Sequence, residues 1–461
     1  MTEINASNNI PSSYRDPSGC LFYKDNLIYR KVNKIYKDNY DMLMGSGLYD
    51  ALVKDALLIP HEEVDIDCEK PDNAYKIIKP QKIPFISYPY EWCFSQLKNA
   101  ALTTLEIQKK ALNFGMSLKD ASAYNIQFRN CKTVLIDTLS FEKYQEGNPW
   151  VAYRQFCQHF LAPLALAHYK DIRLNQLLKI YMDGLPLDLV SILLPFRTRF
   201  IFHLCTHIHL HAKSQKYFSD KTINMNKHKM KRFALLGLID SLELSVRKLK
   251  WQSEKSQWTE YYEDTNYSSG AFQHKKQLIS EFLEKINPSN IWDLGANIGE
   301  FSRIAGKKGV PTISFDIDPA CVEKNYLECV GSGTTNILPL LLDLTNPSPS
   351  IGWENAERSS LIERGPADTI LALALVHHLA ISNNVPFNRI AYFFKKICKS
   401  LIIEFIPKDD SMAQKLLRAR EDIFHDYTKE AFENAFGSYF AIQNSSTIRD
   451  SERTLYLMRR K

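Results

Sequence analysis

The chain has 461 residues, 45% hydrophobic and 24% charged, a globular balance with length enough for two or three cores, which excludes a disordered or fibrous protein. Its formal net charge of +6 is small for this length, so composition does not single out nucleic acid as a partner. No apolar run approaches the roughly 18 residues of a membrane span, and the polar start MTEINASNNIPSSYRDPSG lacks a signal-peptide profile; a cytoplasmic protein with no membrane partner is expected. Nine cysteines lie scattered without a C-x-x-C pair, so reduced thiols are expected rather than a disulfide framework or a cysteine zinc cluster.

Residues 1–17 read as a flexible N-terminus. Gly19 to Val32 alternates on both sides of Lys24-Asp25-Asn26, the pattern of a hairpin. Ile83 to Tyr88 is a candidate strand, and Gln96 to Phe114 has helical periodicity. Then Ser117-Leu-Lys-Asp-Ala-Ser-Ala-Tyr-Asn-Ile126 sets Asp120 and Asn125 five apart, ahead of a strand, Thr133-Val-Leu-Ile-Asp137, that ends in a carboxylate.

That spacing resembles the protein kinases, whose catalytic loop H-R-D-x-x-x-x-N precedes a metal-binding D-F-G. The resemblance implies a kinase-like α+β domain with Asp120 as catalytic base and Asn125 and Asp137 as metal ligands. Departures are plain: Leu118 and Lys119 replace His-Arg, Thr138-Leu139 replaces Phe-Gly, and there is no glycine-rich phosphate loop. Arg30 or Lys31 is the nearest candidate for the phosphate-pairing lysine. Three readings stay open: a degenerate module that binds or presents a substrate, an ATP-dependent kinase, or a coincidental helix and strand.

From Trp150 to about Lys255 the pattern is helical, placing a helical extension within a domain over 18–230 and a connecting helix over 231–255. Phe202-His-Leu-Cys-Thr-His-Ile-His-Leu-His211 aligns His203, His207 and His211 on a helix, or His207, His209 and His211 on a strand; a metal site or a structural set would use them differently. Cations gather from Lys213 to Lys250, either a phosphate-tracking patch or a solvated helix face. Trp258 to Ser269 mixes aromatic and polar residues, so Tyr262, Tyr267 and Ser268 form a candidate lid or an interdomain linker.

The sharpest signal is Ile291-Trp-Asp-Leu-Gly-Ala-Asn-Ile-Gly-Glu-Phe-Ser302, an apolar strand turning through Gly295 and Gly299 into a helix. It is D-x-G-x-x-x-G rather than the dinucleotide pattern G-x-G-x-x-G, and an acid before the first glycine suits a cationic ligand better than a pyrophosphate. Strands follow at Thr312 to Asp316, Ile337 to Leu342 (then Asp343), Asp368 to Leu375 and Leu401 to Ile406. Tyr439 to Gln443 and Arg453 to Met458 read as a closing antiparallel hairpin.

Over 256–461 the chain resembles the class I S-adenosylmethionine-dependent methyltransferases. The implied architecture is α/β: a Rossmann-like methyltransferase sheet with a terminal antiparallel hairpin, preceded by the kinase-like domain. The resemblance implies a site for S-adenosyl-L-methionine made by Tyr267, Asp293, Gly295, Asn297, Gly299, Asp316, Ile317, Asp343, Leu344 and Ala372. Asp316 would take the ribose hydroxyls and Asp343 the adenine amine. His377 or His378 is a candidate base for a hydroxyl or amine, or a packed strand-end histidine. Glu404, inside an apolar run, must meet a cation or donor and is a further catalytic candidate. Asp409 and Asp410 fit a helix cap. No N-P-P-Y tetrapeptide follows the fourth strand, which disfavours the amino groups of adenine or glutamine as acceptors; O- or N-methylation is expected, with a small molecule or saccharide favoured over protein or RNA. Cofactor binding without catalysis, and a bifunctional kinase and methyltransferase, are the alternatives.

Overall fold

The structure is a computed structural model describing residues 9–67, 71–213, 230–251, 268–418 and 421–461. Tyr262, Tyr267 and the lysines at 216, 221, 227 and 229 lie outside the described residues, as does Cys68. The chain divides into two compact units, one of residues 1–252 with 350–358 and one of 253–349 with 359–461.

The first unit opens with a four-stranded antiparallel sheet ordered β1-β2-β4-β3, from Gly19–Lys24 (β1), Leu27–Asn33 (β2), His61–Val64 (β3) and Ala74–Pro80 (β4). The expected hairpin is present: Asp25 and Asn26 take φ of 51° and 61°, the left-handed pair that a two-residue turn requires between twisted strands. Gln96 to Phe114 lies almost wholly in a helix, Phe94–Asn113, which buries Leu97, Ala101, Leu105, Ala111 and Leu112 along one stripe. Two short hairpin-like pairs follow: Met116–Leu118 (β5) with Phe141–Lys143 (β8), and Ile126–Arg129 (β6) with Lys132–Leu135 (β7).

Ile83 to Tyr88 is not a strand. Pro84 removes a ladder donor, and the backbone N–H groups of Ser87 and Tyr88 bond to side chains, Gln127 at 2.9 Å and Glu91 at 2.9 Å.

In the second unit seven strands form one sheet: Ile291–Leu294 (β9), Thr312–Asp316 (β10), Ile337–Leu341 (β11), Ala367–Ala372 (β12), Cys398–Phe405 (β13), Phe440–Thr447 (β14) and Thr454–Arg460 (β15). The order is β11-β10-β9-β12-β13-β15-β14. β9 to β13 run parallel, whereas β15 is antiparallel to β13 and to β14. All four residues of β9 are buried, and β12 and β13 are nearly so, as central parallel strands covered on both faces must be. The chain steps outward from β9 to β11 and returns on the other side of β9 as β12. That reversal leaves a crevice outside the carboxyl ends of β9 and β12, where ligands of such sheets sit. Ala271, Ile279 and Phe282 of the helix Ser269–Ile286 share one core with Ile291, Leu371, Ile402 and Leu457 of the sheet.

Gly299, at φ 84°, shows why the turn after β9 needs its glycine. A Cβ there would lie 2.4 Å from Asn325 Oδ1, inside a buried amide that also donates to Ser314 Oγ at 2.9 Å. We expect Gly299→Ala to destabilise the protein by about 1–3 kcal/mol through strain and overlap. Urea unfolding measures it, and an unchanged midpoint would show that Asn325 yields freely.

Candidate functional site

Three strand-end carboxylates flank the crevice, each held differently. Asp293 is 1% exposed; its Oδ2 accepts from Ser302 Oγ at 2.6 Å, and Ser302 in turn meets Ser314 Oγ at 2.9 Å. Burial raises the Asp293 pKa to about 7, against the Ser302 hydrogen bond and with the Asp316 charge adding to the rise. Asp316 keeps some surface open, yet the crowding protein desolvates its carboxyl and raises it to about 6. Its oxygens accept from the backbone of Asn297 at 2.7 Å and Asp318 at 2.9 Å, which oppose the shift. Asp343 binds its own loop, accepting from Thr345 N at 2.8 Å and Thr345 Oγ1 at 2.6 Å.

The turn between them presents backbone. Gly295 (φ 76°) is exposed, and Asn297 sits at φ 53°, a left-handed value that asparagine tolerates by bonding locally, here accepting from Ile298 N at 2.7 Å. Asn297 thus fills a glycine-like position and carries its amide N–H to Asp316. Ile317, beside Asp316, is 61% exposed, an apolar surface at the crevice mouth. Leu344 is half-buried beside Asp343, and Ala372 is buried at the end of β12.

After β12 the chain enters a helical turn carrying the histidine pair. His377 is 1% exposed and neither ring nitrogen has a hydrogen-bond partner; His378 is less enclosed and lies tilted against it at 4.1 Å between centroids. Burial first, then the neighbouring His378, Arg453 and Lys275, drives His377 well below the usual range, and burial takes His378 to about 4. Both are neutral at pH 7 as a base must be, but weaker bases than the near-neutral titration expected from sequence.

Glu404 has the cation its burial requires. Lys275 Nζ lies 2.6 Å from Glu404 Oε2, both side chains at most 2% exposed, and Ala374 N donates to the same oxygen at 2.7 Å. Arg453 Nη1 is 3.8 Å from Glu404 Oε1, and its Nε is 2.8 Å from Asp410 Oδ2. Asp410 does cap the next helix, accepting from Met412 N at 2.9 Å, but it also anchors Arg453. Lys275 and Arg453 went unread in the sequence. The available signal was Lys275 on the apolar stripe of Ala271, Leu278, Ile279 and Phe282.

In the first unit, Asp120, Asn125 and Asp137 gather into one cluster. Asp120 accepts from Ser122 N at 2.9 Å, and burial followed by the Asp137 charge raises its pKa. Asn125 reaches Ser140 Oγ at 3.4 Å, and Ser140 donates to Asp137 at 2.5 Å. Of the two early-strand cations, Arg30 pairs with Asp137, at 2.9 Å, and with Asp16 at 2.6 Å. The histidines form hydroxyl clamps on a helical segment: His207 bonds Tyr153 and Ser241 at 2.8 and 2.9 Å, His209 bonds Ser191 and Thr198 at 2.8 and 2.9 Å. Ser268 of the expected lid caps the helix Ser269–Ile286, accepting from Ala271 N at 3.0 Å.

The second unit is therefore an α/β unit with a mostly parallel sheet and a carboxylate-flanked crevice at its switch point. The whole chain is 34% identical over 460 residues to nodulation protein NoeA of Rhizobium meliloti (strain 1021), spanning 98% of this chain and 96% of that protein; it belongs to the NoeA family. No family model matches. Solved structures to which it is similar include magnesium protoporphyrin IX methyltransferase from Synechocystis PCC 6803 with bound SAH, at 15% identity and TM-score 0.32 over 44% of this chain and 93% of that one. Others are an O-methyltransferase of Nostoc punctiforme PCC 73102 (16%, TM-score 0.31, 44% and 60%) and the bifunctional kinase-methyltransferase WbdD (13%, TM-score 0.29, 43% and 41%).

Removing one partner of a buried pair strands the other charge, so Glu404→Leu or Lys275→Met alone should each cost about 3–5 kcal/mol. The double variant should recover much of that loss in urea unfolding. Additive losses would mean that the two groups act independently.

Proposed function

We propose that the second unit binds S-adenosyl-L-methionine in the crevice beside β9 and transfers its methyl group to an acceptor hydroxyl or amine. The observation that carries this is the placement of Asp293, Asp316 and Asp343 at or just beyond the carboxyl ends of β9, β10 and β11, beside a turn that exposes Gly295. Asp316, with Ile317 beside it, would hold the ribose and one adenine face; Asp343 and Leu344 would meet the base, with Ala372 lining the floor. Gly295, exposed in the turn, lets a ligand approach the main chain, Gly299 and Asn297 shape that turn against Asn325 and Asp316, and Asp293 would supply negative charge from beneath. Bound there, the cofactor supplies an electrophilic methyl carbon on a sulfonium leaving group, so alignment and exclusion of water are the protein's main contributions.

His377 or His378 would accept the acceptor's proton. Their neutral imidazoles lie where the chain leaves β12, close to the pair of Glu404 and Lys275 that keeps the crevice wall in place. The unpartnered nitrogens of His377 suit a hydroxyl, which both donates and accepts. The first unit would select the acceptor, for which a small molecule or saccharide remains the favoured class. Phosphoryl transfer there is the weaker reading, because Arg30 already pairs with Asp137, the carboxylate that metal would need.

Titration calorimetry with S-adenosylmethionine should show one site, weakened by about 1–3 kcal/mol in Asp316→Ala. An affinity untouched by that change would move the site elsewhere. The pH dependence has a definite sign. Asp293 and Asp316 have folded pKa values of about 7 and 6, above the unfolded value, so their stabilising contribution is complete below about pH 4 and is lost as pH rises through 6 to 7. A cationic ligand favours the ionised forms. Its binding near pH 6.5 should release protons, read from heats in buffers of different ionisation enthalpy, and the release should fade toward pH 8.5. Proton uptake would separate these acids from the ligand.

A further inference from the structure

Within the first unit, the segment between 192 and 202 buries Leu194 but presents four apolar side chains outward. Ile192 is 77% exposed, Phe196 67%, Phe200 77% and Phe202 72%, values at which a ring stands off the surface rather than lying on it. Between them Arg197 and Arg199 are also exposed, and the Arg199 guanidinium lies 5.3 Å from the Phe196 ring centroid. From Leu189 to Lys213 there is no Asp or Glu. The base of this tip is fixed. Buried Thr198 donates to Pro195 O at 2.6 Å, and His209 holds Thr198 with one ring nitrogen and Ser191 with the other. The rings are thus displayed on a fastened support.

We propose that this tip is a membrane-surface anchor: the aromatic side chains enter the interfacial layer of a bilayer while Arg197 and Arg199 meet anionic lipid headgroups. Two features select a lipid surface over a protein partner. The exposed rings, of which Phe196 and Phe200 meet edge to face at 5.5 Å between centroids, would need a matching hollow on a rigid partner, whereas a deformable interface receives them in any arrangement. Arg197 and Arg199 stand among the rings in a run, Leu189 to Lys213, that carries no Asp or Glu, and so complement a surface of uniform negative charge. Lying on a membrane requires no span, and no helix among the described residues is long and apolar enough to cross one. The expectation of no membrane partner rested on the lack of an apolar span and does not reach this case.

The test is co-sedimentation of the full-length protein with vesicles of phosphatidylcholine alone and of phosphatidylcholine with phosphatidylglycerol. We expect binding to the mixed vesicles at least roughly tenfold above the neutral ones, falling as salt is raised. The triple variant Phe196→Ser, Phe200→Ser, Phe202→Ser should lose that binding, and Arg197→Glu with Arg199→Glu should abolish the preference for anionic lipid. Because these side chains are exposed, circular dichroism should report the same fold in each variant. Failure of the full chain to bind either vesicle, or equal binding by the triple variant, would overturn the proposal. So would a dimer in analytical ultracentrifugation that the triple variant dissolves, since the tip would then be covered by a second copy.

Discussion

A carboxylate withdrawn from water is stable only beside a cation and donors that replace its hydration, and Glu404 is wholly enclosed in the middle of an apolar strand. Its solution ties separate parts of the second unit together. Lys275 comes from the helix Ser269–Ile286, Ala374 from the end of β12, and Arg453 from just before β15, with Asp410 following β13 behind it. Hydrophobic residues in place of both Glu404 and Lys275 would pack as well, so the pair is poor evidence of stability for its own sake. What it does is fix the relative placement of β12, β13, the hairpin and the covering helix at the sheet end where the crevice opens.

That placement sets the electrical character of the crevice. Lys275 and Arg453 help keep His377 neutral, while burial leaves Asp293 and Asp316 only partly ionised near neutrality. In the ligand-free protein the acids are held in an unfavourable setting, one that a cationic ligand would relieve. A pyrophosphate would aggravate it.

Much of this unit was legible in the sequence because parallel central strands are short, apolar and punctuated by acids. The segment Thr312–Asp316 matches the observed strand at both ends, and the closing hairpin lies where alternation indicated. Partners from distant positions were not legible. Nothing local to Glu404 identifies Lys275, which lies 129 residues away, although a lysine on an apolar helical stripe was a clue. Asp293 read as a ligand at a strand end, but its carboxyl turns inward to Ser302, an orientation fixed by a buried polar cluster rather than by periodicity. In the first unit, Ile83 to Tyr88 failed as a strand because propensity cannot show that Gln127 and Glu91 take its backbone donors.

The histidine segment illustrates the same limit and what lies beyond it. Spacing alone offered a metal set on a helix or on a strand. In the structure the stretch is helical, and His203 and His207, on one face as helical spacing implies, both reach Ser241 Oγ, while His209 faces away to Ser191 and Thr198; the rings fasten neighbouring segments through hydroxyls. With Arg30 closing on Asp137, the cluster of Asp120, Asn125 and Asp137 is tied into the unit's own strands. The tip that His209 supports, by contrast, displays its rings outward. On the proposed reading the two units divide their labour accordingly, chemistry in the crevice of the second and location through the surface of the first. An acceptor met at a lipid surface would be amphiphilic, which narrows the favoured small-molecule or saccharide class to members carrying an apolar part.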